Sequence, residues 1–338
     1  VSEERVSVVV PAYNAGKTLD ETLRSVRSQT HQALEIIVVD DGSTDDTAAV
    51  AQRHADADPR VRVIRQANGG VADARNTGWQ AASAGIVALI DADDLWAPEK
   101  IELQLQALAR GGPEVGFVYC FFIRIDAESM MSRRWYPEPY AGAVLDQILQ
   151  ENFVGNGSSM LVRREIIERC GGFDSSLRAA GAQGCDDYLF CCRAAEICHF
   201  AVVPEFLVGY REMPGSVSSK VTKMLRSWML SADQLMARLP GKSGLILDGV
   251  RRYAEWLSSN AVYGRRWRQL LEILGLMLRY HPRIALRIIT AFLPALFVTI
   301  ARSRKHRLML RRQGKVVAAQ VRNERFPVGA IRLMEATD

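Results

Sequence analysis

Two clusters of carboxylates, Asp40-Asp41 and Asp91-Ala92-Asp93-Asp94, are the residues of this 338-residue chain best placed to do chemistry. Each follows a short apolar run, Ile36-Ile37-Val38-Val39 and Ile86-Val87-Ala88-Leu89-Ile90, rich in β-branched residues and closed by polar turn residues. Such runs predict buried parallel strands on what should be neighbouring positions of one sheet. In open α/β sheets ligands bind outside the carboxyl ends of the strands. Acids crowded on that rim repel one another unless positive charge lies between them. A hard divalent cation bridging to a diphosphate supplies it through oxygen ligands.

The surrounding pattern supplies the frame. Val6 to Val10 reads as a first strand, followed by the loop Pro11-Ala12-Tyr13-Asn14. Thr18 and Glu21 have the spacing of a capping box opening a helix whose Leu19, Leu23 and Val26 share one face. Thr44 is placed to cap the helix after Asp40-Asp41, with Asp45 and Asp46 in its positive first turn. Val61 to Ile64 is a third strand, and a helix containing Ala72 to Ala82 leads to the fourth. Strands alternating with helices at this spacing predict an α/β fold with a doubly wound, mostly parallel sheet. A further apolar run covers Phe117 to Phe122, and the stretch from Arg124 to Tyr140, with Pro137 and Pro139, reads as irregular. Beyond Ser219 the pattern is helical, so residues 1–220 form the expected catalytic domain and 221–338 a helical extension.

Composition narrows the field. With 48% hydrophobic and 24% charged residues the chain has the makeup of a globular protein. Its net charge of +5 hides an asymmetry: residues 221–338 carry 22 Lys and Arg against 7 Asp and Glu, and residues 1–220 carry 21 against 31. The six cysteines lack the pairwise gaps of a structural zinc site and read as reduced thiols. The polar amino terminus shows no signal peptide, which fits a cytoplasmic location. Ala15-Gly16-Lys17-Thr18 imitates the end of a P-loop, but Pro11 stands where its first glycine is needed.

Several motifs taken in order carry a resemblance. Val8-Val9-Val10-Pro11-Ala12-Tyr13-Asn14, Val38-Val39-Asp40-Asp41-Gly42-Ser43-Thr44-Asp45, Ala74-Arg75-Asn76, Asp91-Ala92-Asp93-Asp94-Leu95-Trp96 and Gly171-Gly172-Phe173-Asp174 resemble the successive signatures of family 2 glycosyltransferases with the GT-A fold, over residues 6–211. The resemblance implies inverting transfer of a sugar from a nucleotide-activated donor, UDP being favoured, with Mg²⁺ or Mn²⁺. It places Pro11, Ala12 and Tyr13 around the base, Asp41 helped by Asp40 at the base edge, Arg75 near the nucleotide, and Asp91 and Asp93 on the nucleotide side of the acid cluster. Asp93 or Asp94 is to hold the ion. It also supplies a general base from an acid pair opening a helix that ends in Arg, here Asp186-Asp187 before Arg193, with Asp187 the base and Asp186 in place of the commoner Glu. Trp96, Ser158 and Trp135 are the acceptor-side candidates, Trp135 on a lip over residues 130–140.

Two rival readings remain at this level. A nucleotidyltransferase shares a similar sheet and acidic site but normally carries a Gly-rich basic loop after the first strand, where this chain has Pro11-Ala12-Tyr13-Asn14. The other is a non-catalytic, membrane-bound nucleotide-sugar-binding scaffold. At the basic end, residues 284–301 are apolar apart from Arg287 and two threonines, and Arg302, Arg304, Lys305, Arg307, Arg311, Arg312 and Lys315 follow. This suits an interfacial segment on an anionic inner leaflet; a buried helix and a short span are the alternatives. No nucleic-acid-binding pattern accompanies the charge. The acceptor implied by analogy is a surface glycan or a lipid-linked one.

Overall fold

The computed structural model describes residues 4–133, 137–182, 184–212, 220–286, 288–290 and 325–326. The chain begins β1 (Val6–Ala12), α1 (Leu19–Arg27), β2 (Leu34–Asp40), α2 (Thr47–Ala57), β3 (Val61–Arg65), α3 (Val71–Ala81) and β4 (Ile86–Leu89). These four strands are parallel in the order β3-β2-β1-β4. Every residue of β1, β2 and β4 is buried, as expected of central strands covered by helices on both faces. β2 and β4 therefore flank β1 and are not direct neighbours, so the two acid clusters open from either side of the first strand.

The second half makes the sheet mixed. β5 (Leu95–Trp96), α4 (Lys100–Arg110), β6 (Val115–Ile125), β7 (Met131–Arg133), α5 (Leu145–Gln150), β8 (Met160–Arg163), α6 (Arg164–Cys170), α7 (Ser176–Ala179), α8 (Asp186–Ala195) and β9 (His199–Arg211) follow. The sheet continues β4-β8-β6-β9-β5, with β8 antiparallel to both β4 and β6 and β9 parallel to β6. The stretch read as irregular contains a real strand, β7, folded back on β6. It was hidden because three residues are too few to show alternation.

Two capping expectations are corrected. The Thr18 hydroxyl makes no cap but donates to the Ala92 carbonyl at 2.9 Å, tying α1 to the acid loop, and Glu21 pairs with Arg211. The helix after β2 starts at Thr47, where Asp45 accepts the Thr47 amide at 3.0 Å; Thr44 instead donates its amide to Asn14. All six cysteines are free, and burial pushes their thiols up, Cys120 and Cys170 to about 11.

From Val221 to Tyr280 the chain is helical, in α9 (Val221–Arg238), α10 (Ser243–Tyr263) and α11 (Trp267–Tyr280), and Arg325 returns to bridge Met130. Leu225, Trp228, Ile246, Val250 and Ile273 belong to the same apolar interior as the sheet. The change of architecture at 220 is therefore not a break in the core.

Candidate active site

The loop after β4 sorts its three acids by direction. Asp94 is fully buried; its Oδ1 accepts the Arg211 amide at 2.9 Å and its Oδ2 the Ser158 hydroxyl at 2.5 Å. Asp91 and Asp93 are only part-buried. Burial and then the Asp91 charge push the Asp93 carboxyl up to about 6. The two adjacent residues thus meet unlike environments: Asp94 pins the loop, and Asp93, like Asp91, stays partly open to solvent.

Arg75 joins that loop to the second acid pair. Its guanidinium, 3% exposed, donates to Asp91 Oδ1 at 2.7 Å and to Asp186 Oδ2 at 2.5 Å. Its charge is held on firmly by these partners against the cost of burial. The fit is close, for a Cβ added at Gly157 would stand 2.8 Å from an Arg75 Nη. Arg75 is thus a buried strut between β4 and the amino terminus of α8, not a helix charge reaching freely toward a nucleotide. A buried ion set of this kind stabilises only while every partner is present.

Asp187 follows Asp186 at the first turn of α8 and is part-buried, with the Tyr188 amide 2.7 Å from its Oδ1. Burial and then the Asp186 charge raise its carboxyl, against the pull of Arg75, up to about 7. A carboxylate poised near neutrality at a cleft is what general-base chemistry requires.

Asp41 organises the other side. It is 2% exposed and accepts the amides of Gly69 and Gly70, each at 2.8 Å, and the Gln66 side chain at 2.8 Å. Gly70, at φ 96°, is the residue from which α3 starts, and Arg75 lies about 7.5 Å further along that helix. Arg75 thus ties Asp91 to Asp186, and α3 carries it from the turn that Asp41 holds. Asp40 is fully buried and accepts from the Ser43 amide at 3.0 Å and Arg65 at 3.1 Å, so it braces the loop. Pro11 and Ala12 are buried in β1, whereas the Tyr13 ring is 53% exposed at its end.

The acceptor-side expectations need correction. Trp96 is fully buried, its Nε1 donating to the Ser158 carbonyl at 2.9 Å and its ring carrying the Lys100 ammonium at 3.9 Å. Ser158 is fully buried too, accepting from the Asp91 amide at 3.0 Å while donating to Asp94. Both stiffen the acid loop from beneath and cannot touch an acceptor. Trp135 lies outside the described residues.

Two contributors escaped the sequence reading. Arg211, 2% exposed, donates to the carbonyls of Asp93, Asp126 and Ala127 and to Glu21. It welds the acid loop to the β6–β7 turn; its only sequence signal is a charge ending an apolar strand. Asn76 accepts the Phe173 amide at 2.8 Å and donates to the Phe173 carbonyl at 2.8 Å, docking the Gly171-Gly172-Phe173 loop against α3. Its signal was its place beside Arg75.

Among the described residues no three His, Cys, Asp or Glu side chains converge to hold an ion unaided. The donor set does suit one shared with a ligand. Asp91 and Asp93 offer hard oxygens at the cleft, and their mutual repulsion is relieved by a hard cation.

Residues 7–171 match the model of the family described as Glycosyl transferase family 2. The uncharacterized glycosyltransferase EpsJ of Bacillus subtilis (strain 168) is 30% identical over 221 residues, 63% of this chain and 62% of EpsJ. Glycosyltransferase GlyG of Streptococcus pneumoniae serotype 4 is 41% identical over 113 residues, 33% of this chain and 38% of GlyG. The chain thus spans less than two thirds of the length of these relatives. Among solved structures, residues 1–349 of S. aureus TarS in complex with UDP-GlcNAc superpose with a TM-score of 0.62 at 17% identity, covering 88% of this chain and 87% of that one. The mannosyltransferase PcManGT from Pyrobaculum calidifontis, in complex with GDP-Man and Mn²⁺, gives 0.58 at 22% identity over 94% and 86%. With the acid loop, Arg75 and the first strands in these positions, and the family model matching the residues that carry them, residues 7–171 are a glycosyl transferase family 2 region and the fold is of the GT-A type.

Proposed function

We propose that the protein is an inverting glycosyltransferase that moves a sugar from a nucleotide-diphosphate donor, UDP-linked in the favoured case, to a hydroxyl of a glycan or lipid-linked acceptor in cell-surface polysaccharide or glycolipid synthesis. The observation that carries this reading is the Arg75 strut, which binds Asp91 and Asp186 at once and so places the acid loop beside the candidate base. The nucleotide lies between the Tyr13 ring and the loop that Asp41 holds. Asp93, with the Asp91 oxygen that Arg75 does not hold, would bind Mg²⁺ or Mn²⁺, because both Asp94 oxygens are engaged by Arg211 and Ser158. When bound, such an ion neutralises the charge that a departing diphosphate gains.

The chain's own part in the step is proton transfer. An acceptor oxygen forms its bond to the anomeric carbon on the face opposite the nucleotide and passes its proton to the Asp187 carboxylate. The sugar–phosphate bond breaks, and its electron pair leaves with the diphosphate. Asp186 and Arg75 orient and tune Asp187 without meeting the acceptor.

Membrane association at the inner face of the cell membrane belongs to the same proposal. Much of the apolar and basic segment on which it was expected lies outside the described residues, and no described helix is long and apolar enough to cross a membrane. Support comes from α11, which buries Leu270, Ile273 and Met277 yet exposes Trp267, Leu271 and Leu278 on another stripe.

The test is Asp187→Asn. The variant is expected to keep the rise in melting temperature that UDP or GDP gives with Mn²⁺ and to lose transfer by roughly 10²- to 10⁴-fold. Transfer at near-parental rate would remove Asp187 from the mechanism.

A further inference from the structure

Arg325 and Phe326 return to the sheet beside the acid loop. Arg325 forms an antiparallel bridge with Met130, and its Nε donates to the Glu128 carbonyl at 3.4 Å. The Phe326 amide donates to the Ser129 carbonyl at 2.8 Å. The Phe326 side chain is 3% exposed and belongs to the same apolar interior as the sheet. Its ring lies against Gly209 of β9, where an added Cβ would stand 3.0 Å from the ring's Cγ and 3.2 Å from Ile125 Cδ1. Gly209 is the partner of Leu95 in the β5–β9 ladder, and Leu95 directly follows Asp94.

Ser129 joins this contact to the acids. It is 1% exposed and holds φ 64°, a left-handed conformation that a residue with a Cβ keeps only where its surroundings impose it. Its hydroxyl donates to Glu21 at 2.8 Å and accepts from Arg211 Nη1 at 3.0 Å. Arg211 gives its amide to Asp94 Oδ1 at 2.9 Å and its Nε to the Asp93 carbonyl at 2.7 Å. The Arg211 Nη1 has its acceptors in the same turn, the carbonyls of Asp126 and Ala127 and the Ser129 hydroxyl. A buried cation left short of acceptors is costly, so the place of Arg211 depends on the shape of that turn. Phe326 thus reaches the Asp93-Asp94 pair by two routes, through Gly209 and Leu95 and through Ser129 and Arg211. A glycine inside a strand weakens it and marks a close approach; at position 209 the approaching group is the Phe326 ring.

We infer that Phe326 is a positioning residue of the donor site: its ring against Gly209 and its amide on Ser129 hold the turn before β7 against Arg211, and Arg211 holds the loop whose Asp93 would bind the ion. The inference rests on the proposed donor site and adds to it a residue from the far end of the basic extension. An ordinary core ring serves stability alone. Phe326 differs because both of its contacts converge on one loop, in which Asp94 must turn inward for Asp93 to stay open. Groups that orient the ligands of a metal set its affinity without touching it, and Phe326 acts in that way through Arg211. The extension, read from sequence as a separate helical region, in this way supplies part of the frame of the donor site.

The experiment is hydrogen-exchange mass spectrometry on the full chain, parental, Phe326→Ala and Phe326→Leu, with thermal-shift titrations of Mn²⁺ in the presence of UDP on the same samples. In Phe326→Ala the amides of residues 91–97 and 126–131 should exchange faster, while those of α2 and β3, at the opposite edge of the sheet from β5, keep the parental rate. The apparent dissociation constant of Mn²⁺ should rise roughly tenfold, the low end for groups that orient metal ligands, with kcat at saturating Mn²⁺ near parental. Phe326→Leu, which keeps the apolar bulk, should restore both readings. Unchanged exchange at residues 91–97, faster exchange spread equally over α2 and β3, or local loosening with an unchanged Mn²⁺ constant each overturns the positioning role. A parental protein that takes up neither Mn²⁺ nor UDP rejects the donor reading instead, and faster exchange confined to residues 91–97 and 126–131 then still supports the hold of Phe326 on the acid loop. Should Phe326→Ala fail to fold, Phe326→Val carries the same comparison.

Discussion

Asp187 and Asp94 show how identical side chains acquire different chemistry from their surroundings. Asp94 is sealed beneath the loop and hydrogen-bonded, so its charge acts on structure only. Asp187 sits at the cleft with its carboxyl raised to about 7 by burial and Asp186, moderated by Arg75. A base works only when unprotonated, so kcat/KM at saturating Mn²⁺ should climb as pH rises through about 7 and level off above it. Removing Arg75 takes away the influence that lowers this value, so Arg75→Ala should displace the limb to higher pH, provided the variant folds. A profile flat from acid to alkaline conditions would show that Asp187 does not titrate in the rate-limiting path. Much of this was legible in the residues alone: acids after β-branched runs must lie at strand ends, and the rim followed. Which acid turns inward was not, because Asp93 and Asp94 are consecutive, and the inward turn of Asp94 is fixed by Ser158 and Arg211, 64 and 117 residues away.

At the scale of elements, the placement of α10 is decisive. Gly249 on α10 lies against the end of α5, where an added Cβ would collide with the Leu149 carbonyl. The Leu149 carbonyl also accepts the Tyr188 hydroxyl at 3.3 Å, so one backbone atom registers both α8 and α10. Gly249→Ala should force α10 outward and cost about 1–3 kcal/mol by overpacking. Denaturant unfolding measures the effect; an unchanged midpoint would mean that α10 tolerates the shift. Sequence patterns reveal helices such as α10 but not which partner faces them. The three-residue β7 and the docking of α10 on α5 both depend on distant contacts, and for the same reason fully buried Trp96 was mistaken for an acceptor contact: an aromatic beside an acid motif looks alike whether it points in or out.

On the scale of the whole molecule, charge and apolar exposure share one end. The acidic half carries the proposed donor site and the basic half the helices, with Arg265, Arg266, Arg268, Arg279 and Arg283 near in sequence to the exposed Trp267, Leu271 and Leu278 against a single acid, Glu272. Separately, neither feature decides anything, since exposed leucines are common on soluble surfaces. Together they match an anionic bilayer, where each basic residue near the surface contributes about 1 kcal/mol and the Trp and Leu side chains enter the headgroup boundary. An enzyme acting on lipid-linked or surface glycans gains from this by meeting acceptors in two dimensions. Co-sedimentation with phosphatidylglycerol vesicles is therefore expected to exceed that with phosphatidylcholine, and to fall at high salt as the Debye length shrinks. Leu271→Glu, which adds a charge to the apolar stripe without touching the buried face, should reduce binding at both salt levels. Equal partition into neutral and anionic vesicles, or a Leu271→Glu variant that sediments like the parent, would separate α11 from any membrane role and leave its exposed stripe to be explained by contact with protein.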